Sequence, residues 1–278
     1  MLSLNPSLDA AMMDLNVAGV GVQITAPANV LAVLEQTMAS VPRTWSGDRV
    51  LDFSVTRATD TWEIRADASG NGKMLRGSSA LPEIAGALVS AVMYDVAKLS
   101  SVIIPRACII ERDGQAIAFV GSDWESSITI TAHLHTRGWR LLGGDYAVID
   151  PQTMDVVPFA KLLYVNSDCV GSLPLAYRPA LEASPWYSTE HGIAFYAVDP
   201  GRLSKSAWSP AGRLSAVIVV DGLSEARPSL DSIPGGTVGA EALDVAMLRD
   251  LDVRVARLRL GNIVDTCDLI ETWFGTDR

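Results

Sequence analysis

One stretch limits the fold more than any other: IAFVGSDWESSITITAHLHTRGWRLLGGDYAVID, residues 117–150. An apolar run enters Gly121, a short polar loop follows, and residues 126–138 space their apolar side chains as a helix. Gly138 stands where a helix C′ residue is expected. Just upstream, ACIIERDGQAIAFVG reads as strand, Asp113-Gly114 turn and strand. A buried strand that feeds a helix needs a sheet with that helix packed on its face, so the fold class is α/β.

The rest of the chain fits that class. Residues 30–41, VLAVLEQTMASV, have helical spacing, and LDFSVTR and TWEIRAD alternate on either side of a short polar turn, predicting a hairpin. Residues 82–99 read as a buried helix with Pro82 near its first turn. Further on, GIAFYAVD and LSAVIVVDG are apolar runs of strand length. AEALDVAMLRDL (240–251) and DTCDLIETWF (265–274) read as closing helices, and RVARLRLG (254–261) as an exposed edge strand. The expected division is an N-terminal α/β region at 1–100 and a core at 101–278.

Composition narrows the function classes. Hydrophobic residues make up 49% and charged residues 19%, a globular balance. The net charge of −10 gives no general attraction for nucleic acid or anionic membrane. Cys108, Cys169 and Cys267 are far apart and suggest neither a disulfide framework nor a zinc site. MLSLNPSLDAAMMDLN lacks a basic n-region, and the apolar helix at 82–99 carries Asp95, so a cytoplasmic protein is expected.

The strand–loop–helix is the context of a phosphate-binding P-loop, G-x-x-x-x-G-K-[ST]. In such a loop backbone N–H groups ring the phosphates, the Lys neutralises charge and the hydroxyl holds magnesium. Aligned on Gly121, the second glycine is Ser126, the lysine is Ser127 and the hydroxyl position is Ile128, with Thr129 one residue later. No Lys lies between Lys98 and Lys161.

The flanks nevertheless resemble HPr kinase/phosphorylase and its relatives over about residues 106–165. There a His-Ala step and a D-G turn lead into the loop, followed by a basic-Gly step, an L-L-S-D-D-Y run and a V-x-P-x-P-[RK] strand. This chain has Arg106-Ala107, Asp113-Gly114, Phe119-Val120-Gly121, Arg137-Gly138, Leu141-Leu142-Gly143-Gly144-Asp145-Tyr146 and Val157-Pro158-Phe159-Ala160-Lys161, in that order. The resemblance implies an HPr-kinase-like P-loop core. Its departures fall on the chemistry: the family's His is Arg106, the loop has lost its Lys, and only Asp145 remains of the acidic pair that in the family binds metal and activates the hydroxyl.

Each candidate has two readings. Asp145 is either a catalytic base or an exposed turn acid. Gly121, Ser122, Ser126, Ser127 and Thr129 form either an anion-binding loop on a helix N-terminus or a plain helix cap. Trp124 is either a partner anchor or a plug for the space a nucleotide would fill. Arg106, Arg137 and Lys161 are candidate partner contacts, and Lys161 with Arg137 and Arg140 is either a contact for an acidic group or solvated surface. Asp221, closing VIVVD, imitates a Walker B acid. His133 and His135 are two apart on a helix and face different directions, so no metal site is expected.

The function expected from this pattern is a catalytically degenerate relative, a pseudokinase that binds a peptide or protein. The resemblance implies an accessory role in peptide modification or biosynthesis, and a homo-oligomer. No cofactor is expected. The alternative is an active phosphotransferase that takes ATP and Mg through a non-standard loop.

Overall fold

The computed structural model describes residues 10–17, 19–38, 41, 43, 50–58, 61–66, 72–76, 81–99, 107–121, 123–150, 152–159, 162–184, 186–188, 194–204, 206–223, 227–233 and 253–275. The chain divides into two compact units, Met1–Ser100 with Tyr187–Ile193, and Ser101–Trp186 with Ala194–Arg278.

The first unit is built on alternation. Strands β1 (Ala10–Val17), β2 (Val20–Pro27), β3 (Val50–Ala58), β4 (Thr61–Ala66) and β5 (Gly72–Arg76) form one sheet in that order. The β3–β4 hairpin is present as expected, with Val55 opposite Ile64. β2 and β3 run parallel, which requires a crossover, and helix α1 (Ala28–Thr37) lies between them in sequence. Helix α2 (Leu81–Leu99) completes the unit. Leu15, Val22, Ile24, Leu34, Ile84 and Leu88 are fully buried.

The second unit centres on a sheet buried on both faces. Its hairpin joins β6 (Cys108–Arg112) to β7 (Gln115–Val120). Asp113 and Gly114 both take positive φ, 55° and 82°, as a tight two-residue hairpin turn requires. After β7 come α3 (Trp124–Thr136), β8 (Arg140–Gly143), β9 (Val148–Ile149), β10 (Asp155–Val157), β11 (Leu163–Asn166) and the short α4 (Arg178–Glu182). β12 (Trp186–Ser188) falls where the chain passes between the units, and β13 (Ala194–Val198) pairs with β11. The unit ends with β14 (Gly212–Leu223), β15 (Ser229–Ser232), β16 (Arg254–Leu260) and helix α5 (Ile263–Gly275).

The sheet order is β15-β16-β14-β7-β6-β8, with β14 parallel to both β7 and β16. On β7, Ile117 and Phe119 enter one core with Leu134, Trp139, Ile270 and Phe274. Ala116, Ala118 and Val120 enter the other with Ile149 and Val156. Each large apolar side chain so buried contributes about 1.5–3 kcal/mol, which explains why β7 reads as an unbroken apolar run.

Two expectations are corrected here. RVARLRLG is not an edge strand, because β15 pairs antiparallel along the side of β16 away from β14. The covering strand, Ser-Leu-Asp-Ser, has too little apolar content to read as one. Helix α3 begins at Trp124 rather than Ser126, so Trp124 is a helical residue, not a loop residue. The helix read at 240–251 lies outside the described residues. No helix among the described residues is long and apolar enough to cross a membrane.

Candidate functional site

Strand direction decides which candidates meet. β7 and β8 each pair antiparallel with β6, so they run parallel to each other and end at the same edge of the sheet. β14 ends there too, being parallel to β7. Gly121, Asp145 and Asp221 therefore lie along one carboxyl edge, the edge at which ligands bind in open α/β sheets. β7 and β8 are two strands apart, so Gly121 and Asp145 stand about 10 Å apart across β6.

Gly121 is required by close approach. Its φ is +135°, and a Cβ there would lie 2.5 Å from the Val220 carbonyl oxygen on β14. The chain thus leaves β7 pressed against its neighbour and turns directly into α3.

The helix N-terminus is capped from within. Asp123 is the N-cap, and its carboxylate accepts from the Ser126 N–H at 3.0 Å and from the Ser126 hydroxyl at 2.6 Å. Ser127 and Thr129 do not point outward: their hydroxyls donate to the Asp123 and Glu125 carbonyls at 3.1 and 2.9 Å. Ser127 is only 1% exposed. The cap is therefore Asp123, not one of the hydroxyl residues, and a carboxylate already sits where an anion would bind a helix start. The signal was present in sequence as an Asp three residues before the helical spacing; three nearby hydroxyl residues competed with it.

The other candidates separate. Trp124 is half-buried and packs against the helix-side core. Asp145 sits in the bend after β8, and its carbonyl accepts from the Ala107 N–H at 3.2 Å. The Asp221 carboxylate pairs with Arg257 at 3.0 Å. Arg137 stands at the far end of α3, about 20 Å away, bound to Asp268 and Glu271 of α5 at 2.5 and 3.0 Å. Burial lowers the pKa of that guanidinium, but the Asp268 and Glu271 hydrogen bonds outweigh it and hold Arg137 in its charged form. Arg106, Ser122 and Lys161 lie outside the described residues.

Beside the capped helix lies a cleft of about 630 Å³, which the sequence reading missed. Three separate segments build it: the face of α3 from Asp123 to His133, a ridge at Cys169–Leu175, and the β16–α5 junction at Leu260–Ile263. Two histidines of α3 tie it to the ridge and to the turn that follows the ridge. His133 Nε2 donates to the Ser172 carbonyl at 2.9 Å, and His135 Nδ1 lies 2.8 Å from the Tyr177 hydroxyl. Burial lowers the pKa of His135 and raises that of Tyr177. No described residue lining the cleft is Lys or Arg, while Asp123 and Glu125 stand at its rim. The Cys169 thiol within it is pushed up by burial, then by the carboxylates of Glu125, Asp123 and Asp168. Among the described residues no group of three or more His, Cys, Asp or Glu is placed to hold a metal.

Comparison with known proteins adds little. No family model matches the chain, and no curated protein matches it. Among solved structures, the HPr(Ser) kinase/phosphatase from Coxiella burnetii is similar over 62% of this chain and 95% of its own, at 12% identity and a TM-score of 0.33. That is a distant structural relation, and it transfers neither activity nor site residues.

Proposed function

We propose that this protein is a degenerate HPr-kinase-like factor that does not bind nucleotide and acts as an accessory by binding a peptide or protein. The observation that carries the reading is the Asp123 carboxylate on the N–H and hydroxyl of Ser126. A phosphate at this helix start would have to displace an internal anion that costs no association entropy. It would also meet Glu125 one residue beyond Trp124 with no lysine in the loop. At a few ångströms and intermediate dielectric each such like charge costs on the order of 1–4 kcal/mol. The Ser127 side chain, at the position of the P-loop lysine, faces the core and not the loop.

The test is a magnesium–ATP titration that follows intrinsic tryptophan fluorescence and thermal stability together, with Trp124→Phe as the fluorescence control. A ligand at 100 times its Kd would add about 2.7 kcal/mol of stability. The reading expects no change in either signal at millimolar ATP. A saturable response that vanishes in Asp145→Asn would replace it with the phosphotransferase alternative.

A further inference from the structure

The cleft along α3 has a shape and charge of its own. Ser126, Thr129 and His133 follow one another at three- and four-residue spacing, so they share a face of the helix. From Asp123 to His133 is about 15 Å of helix, the length of four or five residues of extended chain. Thr129, which also lines the cleft, has its hydroxyl engaged by the Glu125 carbonyl. The opposite wall is apolar, with Leu173, Pro174 and Leu175 on the ridge and Leu260 and Ile263 below.

The surface continues past the ridge. A second hollow of about 320 Å³ shares Gly171, Leu173, Pro174 and Leu175 with the first. Leu175 between them is 82% exposed, the most exposed large apolar side chain among the described residues. The larger hollow alone has the volume of a small-molecule site, but the second hollow, sharing four of its residues, extends the surface beyond it. Charge is one-sided in the larger hollow, which is lined by Asp123 and Glu125 with no Lys or Arg among its described residues, and Asp168 is next to Cys169; the second hollow carries Arg178 together with Glu182.

We propose that this groove binds an extended segment of a partner protein in which Lys or Arg side chains alternate with apolar ones. The apolar side chains would pack on Leu173, Leu175 and Ile263, and the cations would meet Glu125 and Asp123 at the helix start. This identifies the kind of partner and rests on the protein-binding reading above. It also inverts the expected polarity of recognition: Arg137, Arg140 and Lys161 had suggested an acidic group, whereas the larger hollow is complementary to a basic one.

Cys169 allows a direct test, because it is partly exposed in the cleft while Cys108 and Cys267 are fully buried. Its reaction with a cationic methanethiosulfonate should outrun that with an anionic one by about tenfold at low salt. In Glu125→Gln that ratio should fall severalfold. In parallel, a fluorescein-labelled Lys/Leu decapeptide should bind by polarisation at least tenfold more tightly than a Glu/Leu decapeptide and should protect Cys169. Glu125→Lys and Leu175→Asp, both surface changes, should each weaken it about tenfold. Equal binding of the two peptides, binding indifferent to both variants, full competition by spermidine, or no binding of either peptide would overturn the inference. Magnesium–ATP binding, measured separately, would instead overturn the reading on which it rests.

Discussion

The two ends of α3 carry opposite charge and are treated in opposite ways. The C-terminal end is fastened by cations: Arg137 binds Asp268 and Glu271, and Arg112 meets the same Glu271 at 2.6 Å beside the Trp139 indole N–H at 3.2 Å. Nearby, Arg140 pairs with the fully buried Glu111 at 2.8 Å. The N-terminal end has acids alone, Asp123 as cap and Glu125 in the first turn. Both arrangements favour the helix dipole, which welcomes anions at the start and cations at the end. A phosphate-binding helix needs its start open and a lysine near it; this one has its start closed and its cations at the far end. The difference teaches that the charges at both ends of the segment are placed to stabilise the helix.

That contrast can be broken at several points. The largest effect is expected at the fastened edge. Glu111→Ala empties a fully buried side-chain volume and removes the acceptor for Arg140 and for the Gly114 N–H, so unfolding free energy should fall by about 2–5 kcal/mol in a denaturant titration. Gly121→Ala should cost about 2–4 kcal/mol through its positive φ and the contact with the Val220 carbonyl, while leaving the far-end network intact.

Glu271→Gln should cost about 1–2 kcal/mol at neutral pH. Burial pushes the Glu271 carboxyl up, but hydrogen bonds from Arg137, Trp139 and Arg112 outweigh it and hold the pKa below the ordinary carboxylate range. A carboxyl lowered in the folded state stabilises at pH above its unfolded value, and that stabilisation fades as pH falls through the folded value. The difference in Tm between wild type and Glu271→Gln should therefore be full at pH 6 to 7 and shrink below about 4.5. A gap that widened on acidification would contradict this network.

The smallest effect is expected at the start of the helix. Asp123→Ala should cost about 1 kcal/mol, the usual value of an N-cap, and Asp123→Asn a fraction of that because the amide oxygen still accepts. A loss above about 3 kcal/mol for the alanine variant would mean that Asp123 does more than cap.

The fold was legible in sequence where one segment carried the whole signal. The β6–Asp113-Gly114–β7 hairpin, the helices α1 and α2 and the β3–β4 hairpin each rest on local periodicity and turn chemistry, and each is present. What escaped depended on partners distant in the chain. RVARLRLG read as an edge strand because its cover, Ser229–Ser232, has no strand signature. The cleft escaped because its walls come from residues near 126, 172 and 261, which no spacing rule connects. The cap escaped because Ser126, Ser127 and Thr129 are equally good cap residue types, whereas it is the Asp123 carboxylate that completes the helix.

The most direct test of the self-capped helix is a crystal structure determined at millimolar magnesium–ATP. The account predicts the Asp123 carboxylate within hydrogen-bonding distance of the Ser126 N–H and no phosphate at the start of α3. Phosphate bound to the Ser126 and Ser127 amides, with Asp123 swung aside, would contradict it.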